Sequence, residues 1–414
     1  MSLISVNNLT FGYDGSLKNI FENVSFNIDT DWKLGLIGRN GKGKTTFLKL
    51  LLGKYEYQGA ISKNVEFDYF PFEVKNKERM AIEIVNEIAP NVEDWEIIRE
   101  LNLLNTDTEV LYRSFNLLSG GEQIKILLIS LFLKGNNFLL IDEPTNHLDI
   151  ETRNNLVNYL EKKKGFILVS HDRNFLDKVV NHIISINNTN IEIQQGNFSS
   201  WKENKNRQDN FEKIQNERLQ KDINRLEIAS KNCAKWSNEA EKTKNKKYNS
   251  ETTIDKGYIG HKADKMMKKS KVMEQRIEKA INEKTNLLKN IEVNDTLKII
   301  PLKSNKNPLI FAHNLQIKYS KETIFNPITF EVNNGDRVAL IGKNGIGKSS
   351  ILKLILGEEL QYNGEFMVAN DLKISYVSQS TEDLKGNLRT FAYDNKINES
   401  IFKAMLVKMG LSQF

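Results

Sequence analysis

The sequence predicts an α/β fold present twice in one chain, the two copies joined by a long antiparallel α-helical hairpin, and three observations carry that prediction. The segment LGLIGRNGKGKTTFLKLLLG at 34–53 returns as VALIGKNGIGKSSILKLILG at 338–357, its glycines in register at an offset of 304 residues. Each copy runs from an apolar strand-like stretch through a glycine-rich loop into an apolar helical stretch. Between them lies a region without proline from Pro144 to Pro301, where apolar residues recur at helical spacing among charges.

Taken in order, the first copy opens with the alternating segments ISVNNLTFGY and NVSFNID, the second with LIFAHNLQIKY and PITFEVN, the pattern of half-buried strands. The apolar strands KLGLI and RVALI then lead into GRNGKGKT, Gly38–Thr45, and GKNGIGKS, Gly342–Ser349, both of the form G-x-x-x-x-G-K-[ST]. A loop of this kind wraps a phosphate in backbone N–H groups: here Gly38, Asn40, Gly41 and Gly43, and in the second copy Gly342, Asn344, Gly345 and Gly347. Lys44 and Lys348 balance the β/γ-phosphate charge, and Thr45 and Ser349 can ligate Mg²⁺, with Thr46 and Ser350 next in the helix whose N-terminus favours the anion. A glycine-rich turn without a ligand is the bland alternative, and two copies in the right strand–loop–helix context weigh against it.

In FLLIDEPTNHLD, 138–149, an apolar strand ends in paired acids. Asp142 would hold Mg²⁺ through water and Glu143 would polarise an attacking water, since phosphoryl transfer chiefly needs positioning and charge stabilisation. GFILVSHDRNF places His171 at another strand terminus, where an isolated histidine is as often structural as catalytic.

In the middle region Phe211, Ile214, Leu219, Ile223 and Leu226, then Ile277, Ile281 and Leu288, mark two helices over roughly 200–242 and 262–292, interrupted by NSETTIDKG, Gly257 and Gly260. Forty helical residues reach about 60 Å. Residues 202–300 carry 24 Lys and Arg against 16 Asp and Glu, a charge of +8 in a chain of net +6, and residues 242–271 alone carry +7. Such crowding favours an anionic surface, most commonly nucleic acid, over the alternative of a solvated spacer. The domains are therefore 1–200, 201–300 with a basic tip at about 243–262, and 301–414.

A chain of 414 residues with 39% hydrophobic residues can bury two or three cores. Its longest apolar run, ILLISLFL, falls short of the ~18 residues of a membrane span. The N-terminus has no basic-then-apolar targeting pattern, so the default location is cytoplasmic. A single cysteine, Cys233, excludes an internal disulfide framework and a multi-cysteine metal site.

LLSGGEQ at 117–123 adds the most specific motif. With the P-loops, LIDEP, HLD and SHD, it resembles the ATP-binding cassette superfamily, and the resemblance implies two P-loop ATP-binding cassette domains using ATP and Mg²⁺. It further implies that Ser119, Gly120, Gly121 and Glu122 contact nucleotide bound to the opposite P-loop, that Asp149 lies in the D-loop, and that His171 is the switch histidine. Tyr13 and Tyr319 would stack on adenine. The Q-loop glutamine that assists the metal is matched by Gln379 in ISYVSQ, but by Phe72 in FDYFPF. Leu118 follows Gly38 by 80 residues, so a second signature is expected near position 422, past Phe414. The expectation is a second cassette incomplete in this sequence, leaving neither composite site whole.

Two fused cassettes around a charged hairpin are similar to the ABC-F family, and KKKGFILVSHDRNFLDKVV and QGNFSSWKENKNRQDNFE look most like its Lsa/Vga-type resistance proteins. That implies a monomeric, intramolecular cassette pair on the ribosomal E site. Its hairpin would reach past P-site tRNA toward the peptidyl-transferase centre and dislodge a drug, and hydrolysis would release the factor. Lys244, Lys246, Lys247, Tyr248, Ile254, Tyr258, Ile259 and Lys262 are the candidate contacts to rRNA or tRNA. The competing readings are a housekeeping ABC-F translation factor, the ATPase of a membrane transporter, which gives no reason for a basic tip, and a DNA-repair ATPase, whose helices usually interrupt a cassette.

Overall fold

The structure, a computed structural model, describes the chain except residues 1, 16–18, 39–40, 136, 147, 188–189, 245–264, 266–267, 270, 274, 281–303, 305, 320–321, 324, 371, 379–385 and 410–414. It forms two compact units, Met1–Trp201 with Asp295–Phe414, and Lys202–Asn294.

In the first unit, β1 (Leu3–Phe11) pairs antiparallel with β2 (Phe21–Asp29) and β4 (Gln58–Ser62). The adjoining six-stranded sheet has the order β5-β6-β7-β3-β8-β9, from β3 (Lys33–Ile37), β5 (Glu66–Phe70), β6 (Asn137–Asp142), β7 (Phe166–Val169), β8 (His182–Asn187) and β9 (Asn190–Gln195). All its pairings are parallel except β8–β9. Near-continuous apolar runs such as FILV suit strands covered on both faces. The strand period of two sends Leu139, Ile141, Phe166 and Leu168 into one core. That core is shared with α2 (Ala81–Ile88), α3 (Asp94–Leu103), α4 (Gly120–Leu133) and α5 (Ile150–Leu160). Phe138, Leu140, Ile167 and Val169 point the other way, to a core closed by α1 (Lys44–Leu51) and the β1–β2 sheet. Because β3, β6 and β7 run parallel, Ile37, Asp142 and Val169 end at one edge of the sheet, where ligands of open α/β sheets bind. Beyond β7, α6 (Arg173–Val179) returns the chain to β8.

The second copy repeats the antiparallel layer. Its β10 (Ile310–Tyr319) pairs with β11 (Glu322–Thr323), β12 (Ile328–Val332) and β13 (Gln361–Val368), and Ala312, Leu315 and Ile317 pack on α8 (Lys348–Ile355). Two short helices, α9 (Leu388–Asp394) and α10 (Glu399–Lys408), follow, counting only helices with defined bounds. One expectation fails: RVALI does not form a strand. Val338, Leu340 and Ile341 are 58%, 39% and 74% exposed, whereas Leu34, Leu36 and Ile37 at the same offset are buried. β3 is a strand because β7 and β8 flank it, and among the described residues 337–342 have no such partners.

In the other unit, α7 (Phe198–Lys244) is one helix of 47 residues, and helical residues recur within 265–280, where Ile277 is buried, as Ile223 of α7 is. The turn and most candidate RNA contacts, Lys246, Lys247, Tyr248, Ile254, Tyr258, Ile259 and Lys262, lie outside the described residues. Lys244 ends α7. No described helix is long and apolar enough to cross a membrane.

Candidate functional site

The P-loop is shaped by its last glycine. Gly43 has φ +94°, and a Cβ there would stand 2.6 Å from Ile20 Cγ2, so only glycine fits. It caps α1 without a side-chain hydrogen bond, leaving the first-turn N–H groups pointed into the loop, the arrangement that binds phosphate. Gly347 repeats this at φ +94° ahead of α8. Lys44 Nζ donates to Gly38 O at 2.8 Å and Lys348 Nζ to Gly342 O at 2.8 Å. Burial lowers the Lys44 pKa, opposed by the charges of Glu143 and Asp142. Thr46 is buried and its hydroxyl shares a 2.9 Å hydrogen bond with the Tyr13 phenol. Tyr13 packs edge-on against Phe11 and Tyr55, so an aromatic wall stands beside the loop.

Across the sheet edge, Thr45 Oγ1 donates to Asp142 Oδ2 at 3.4 Å. These hard oxygens fit Mg²⁺, which keeps several waters and takes phosphate oxygens rather than a full protein cage. With ATP bound, Thr45 and Asp142 would hold Mg²⁺, whose charge would offset that of the phosphates.

Glu143 follows Asp142 with φ +50°, a conformation that costs a glutamate of order 1 kcal/mol or more. It is held by Glu143 N donating to Val169 O at 2.9 Å, and the turn aims the carboxylate along the edge toward His171. His171 N donates to Oε2 at 3.3 Å, His171 Nε2 lies 3.4 Å from Oε1, and Oε1 is buried without a hydrogen-bond partner among the described residues. Burial pushes the Glu143 pKa up, and the charge and N–H of His171 only partly offset it. A carboxylate with one unsatisfied oxygen beside a phosphate loop can orient and polarise a water.

The signature residues begin α4, where Ser119 and Glu122 cap reciprocally: Ser119 N donates to Glu122 Oε2 at 2.8 Å and Glu122 N to Ser119 Oγ at 3.3 Å. Gly120 has open space where a side chain would be, and Gly121 packs on Thr152 and Leu148. Asp149 caps α5 through Thr152 N at 2.8 Å, and its other oxygen accepts from Asn344 N of the second P-loop at 3.5 Å. Beside it Lys343 Nζ pairs with Glu151 at 2.7 Å. Thus the start of α5 in the first copy meets the glycine-rich loop of the second. Gly345, Ser349 and Ser350 complete that loop and helix, Ser350 being buried, and Tyr319 ends β10. Asn40 and Gln379 lie outside the described residues.

Two groups went unnoticed in the sequence. Tyr69 Oη donates to Asp142 Oδ2 at 3.0 Å, although Tyr69 sits in a plain strand 73 residues away. Lys125, buried in α4, donates to Thr106 Oγ1 at 3.0 Å, and burial lowers its pKa. Only its spacing from the signature could have marked it.

The fold and the edge define a P-loop nucleotide-binding protein. A family model described as "ABC transporter" matches residues 21–146 and 325–411. The chain belongs to the ABC transporter family, as an ATP-binding protein of its ABC-F group. It is 30% identical over 406 residues to the ATP-binding protein Uup of Buchnera aphidicola, covering 94% of this chain and 62% of that protein. The ribosome protection protein VmlR of Bacillus subtilis is 28% identical, with 90% and 65% covered. The ABC transporter F family member 2 of Arabidopsis thaliana is 33% identical, with 49% and 31% covered. The chain spans under two thirds of the length of the first two. These relatives are diverse ABC-F proteins rather than specifically of the Lsa/Vga type.

Proposed function

We propose that the chain is the nucleotide-switching part of a cytoplasmic ABC-F ATPase that acts on the ribosome as a translation factor. The carrying observation is the contact of Asp149 and Glu151 with Asn344 and Lys343, which lets nucleotide at one P-loop bear on the other cassette. At the first site Gly38, Asn40, Gly41, Gly43, Lys44 and Thr46 bind the phosphates and Tyr13 the adenine. Thr45 and Asp142 hold Mg²⁺, Glu143 positions water on the γ-phosphorus, and His171 aligns Glu143. Gly342, Gly345, Gly347, Lys348, Ser349, Ser350, Gln379 and Tyr319 act likewise at the second P-loop, and Ser119 to Glu122 cap it in trans. ATP stabilises the closed pair by differential affinity and hydrolysis reopens it.

The ribosomal partner is supported by the +8 middle region and by a relative named as a ribosome protection protein. Drug displacement at the peptidyl-transferase centre by a factor on the E site, beside P-site tRNA, is the second reading, favoured by that relative alone. The diversity of the other relatives favours the general translation role. Co-sedimentation of the chain with ribosomes should require ATP and increase with Glu143→Gln; equal sedimentation with and without nucleotide removes the ribosomal reading. Raised tolerance to lincosamides, streptogramin A or pleuromutilins on expression would move the assignment to drug protection.

A further inference from the structure

We propose that Tyr69 is a positioning residue of the first nucleotide site, fixing the Asp142 carboxylate so that the metal is held without a ligand from the loop after β5. The inference rests on the MgATP reading above. The Tyr69 phenol and the Thr45 hydroxyl both donate to the same oxygen, Oδ2 of Asp142, at 3.0 and 3.4 Å. A carboxylate at a strand end turns about its last bond, and two donors on one oxygen hold that rotation and leave Oδ1, which accepts no hydrogen bond among the described residues, to face a hydrated cation.

The phenol is a rigid donor because its strand is. β5 runs parallel to β6, with Tyr69 opposite Leu140 and Phe70 opposite Ile141, which carries Tyr69 to the same edge as Asp142. The ring packs against the core beneath α1, and Lys54 Nζ lies 5.9 Å over it. Three residues on, Phe72 is 38% exposed and offers no ligand atom, whereas the second copy has Gln379 at the matching place. The second copy also keeps a tyrosine at the equivalent strand position, Tyr376, which is 57% exposed. Only the first copy therefore joins such a phenol to an acid among the described residues.

Tyr69→Phe deletes one hydroxyl and keeps the ring. In a chain whose second P-loop is silenced by Lys348→Ala, binding of a fluorescent ATP analogue is titrated with Mg²⁺ and repeated in EDTA. The Mg²⁺ concentration at half-saturation should rise about 10-fold or more, the loss of one hydrogen bond to a charged acceptor, while the affinity in EDTA stays within about twofold. Adding Phe72→Gln to Tyr69→Phe should recover most of the shift. Superimposable Mg²⁺ titrations overturn the proposal, as does equal weakening with and without Mg²⁺, which would mark a merely structural tyrosine. If the Lys348→Ala chain itself shows no Mg²⁺-dependent binding, the MgATP reading fails and this inference with it. Mg²⁺-dependent binding left unchanged by Tyr69→Phe sinks only the inference.

Discussion

Glu143 gathers the costs of the site in one residue: a left-handed backbone, a half-buried carboxylate and an unsatisfied oxygen. Such strain persists where the surroundings over-determine it, here through Asp142 paired with Val169 on one side and the His171 N–H on the other. Its pKa is raised by burial, so the folded state holds the proton to higher pH than the unfolded state does. Stability is therefore lost as pH rises from the ordinary glutamate range, about 4.3, through the raised value. Glu143→Gln removes that loss. Its melting temperature should exceed the parent's at pH 7 and converge with it below about pH 4. In a chain extended to carry the second signature, hydrolysis should fall about 10²-fold or more with ATP binding retained, as for loss of a general base. A variant that melts lower at neutral pH while hydrolysing normally would show that the carboxylate is a structural acid.

The α5 helix is the element that ties the site to its surroundings. Its N-terminus carries Asp149, and just past its C-terminus Lys163 Nζ meets the Glu100 carboxylate of α3 at 2.5 Å, with Arg99 on the other oxygen at 3.2 Å. Burial pushes the Glu100 pKa up, and the hydrogen bonds and charge supplied by Lys163, Tyr159 and Arg99 together more than reverse it. Stability from this pair is thus present above the ordinary carboxylate range and lost as pH falls through the lowered value. Because the Glu100 side chain is 2% exposed, Lys163→Ala leaves one of its buried oxygens without its ion-pair partner, Arg99 still holding the other, and should cost about 2 kcal/mol, read as a lower urea midpoint at pH 7. The difference should shrink as Glu100 protonates, and a pH-independent deficit would point to lost packing against Phe132 and Tyr159 instead. Pairings of this kind were invisible in the sequence, since no period links residues 63 apart. What was legible followed from local rules: α7 from apolar spacing, the P-loops from glycines before a lysine, and the Asp142 edge from an apolar run ending in acids. RVALI read as a strand because apolar alternation says what a segment can bury, whereas strand formation also needs a neighbouring strand to pair with. Tyr69 was missed for the converse reason: a strand tyrosine is ordinary until its neighbouring strand ends in an aspartate.

At the scale of the whole molecule, charge is segregated: the middle region holds +8 and the rest of the chain −2. Self-repulsion of this kind disfavours an isolated basic segment and is relieved by a polyanion. Binding through phosphate contacts releases counterions, so log affinity falls linearly with log salt, by about 0.7 per contact on single strands and 0.9 on duplex. Lys244, Lys246, Lys247 and Lys262 are the candidate contact lysines of the expected tip, and Tyr248, Tyr258 and the two isoleucines are the groups able to stack or wedge. Replacing the four lysines with glutamine should flatten the salt dependence of structured-RNA binding by about 2–4 in slope, while the nucleotide affinity of the P-loops, set by Gly43 and Lys44, stays unchanged. Replacing the two tyrosines with alanine should weaken binding with the slope retained, because stacking releases no counterions. A slope unaffected by losing four positive charges would mean the anion lies elsewhere on the chain, and the hairpin would then be a solvated spacer between two cassettes.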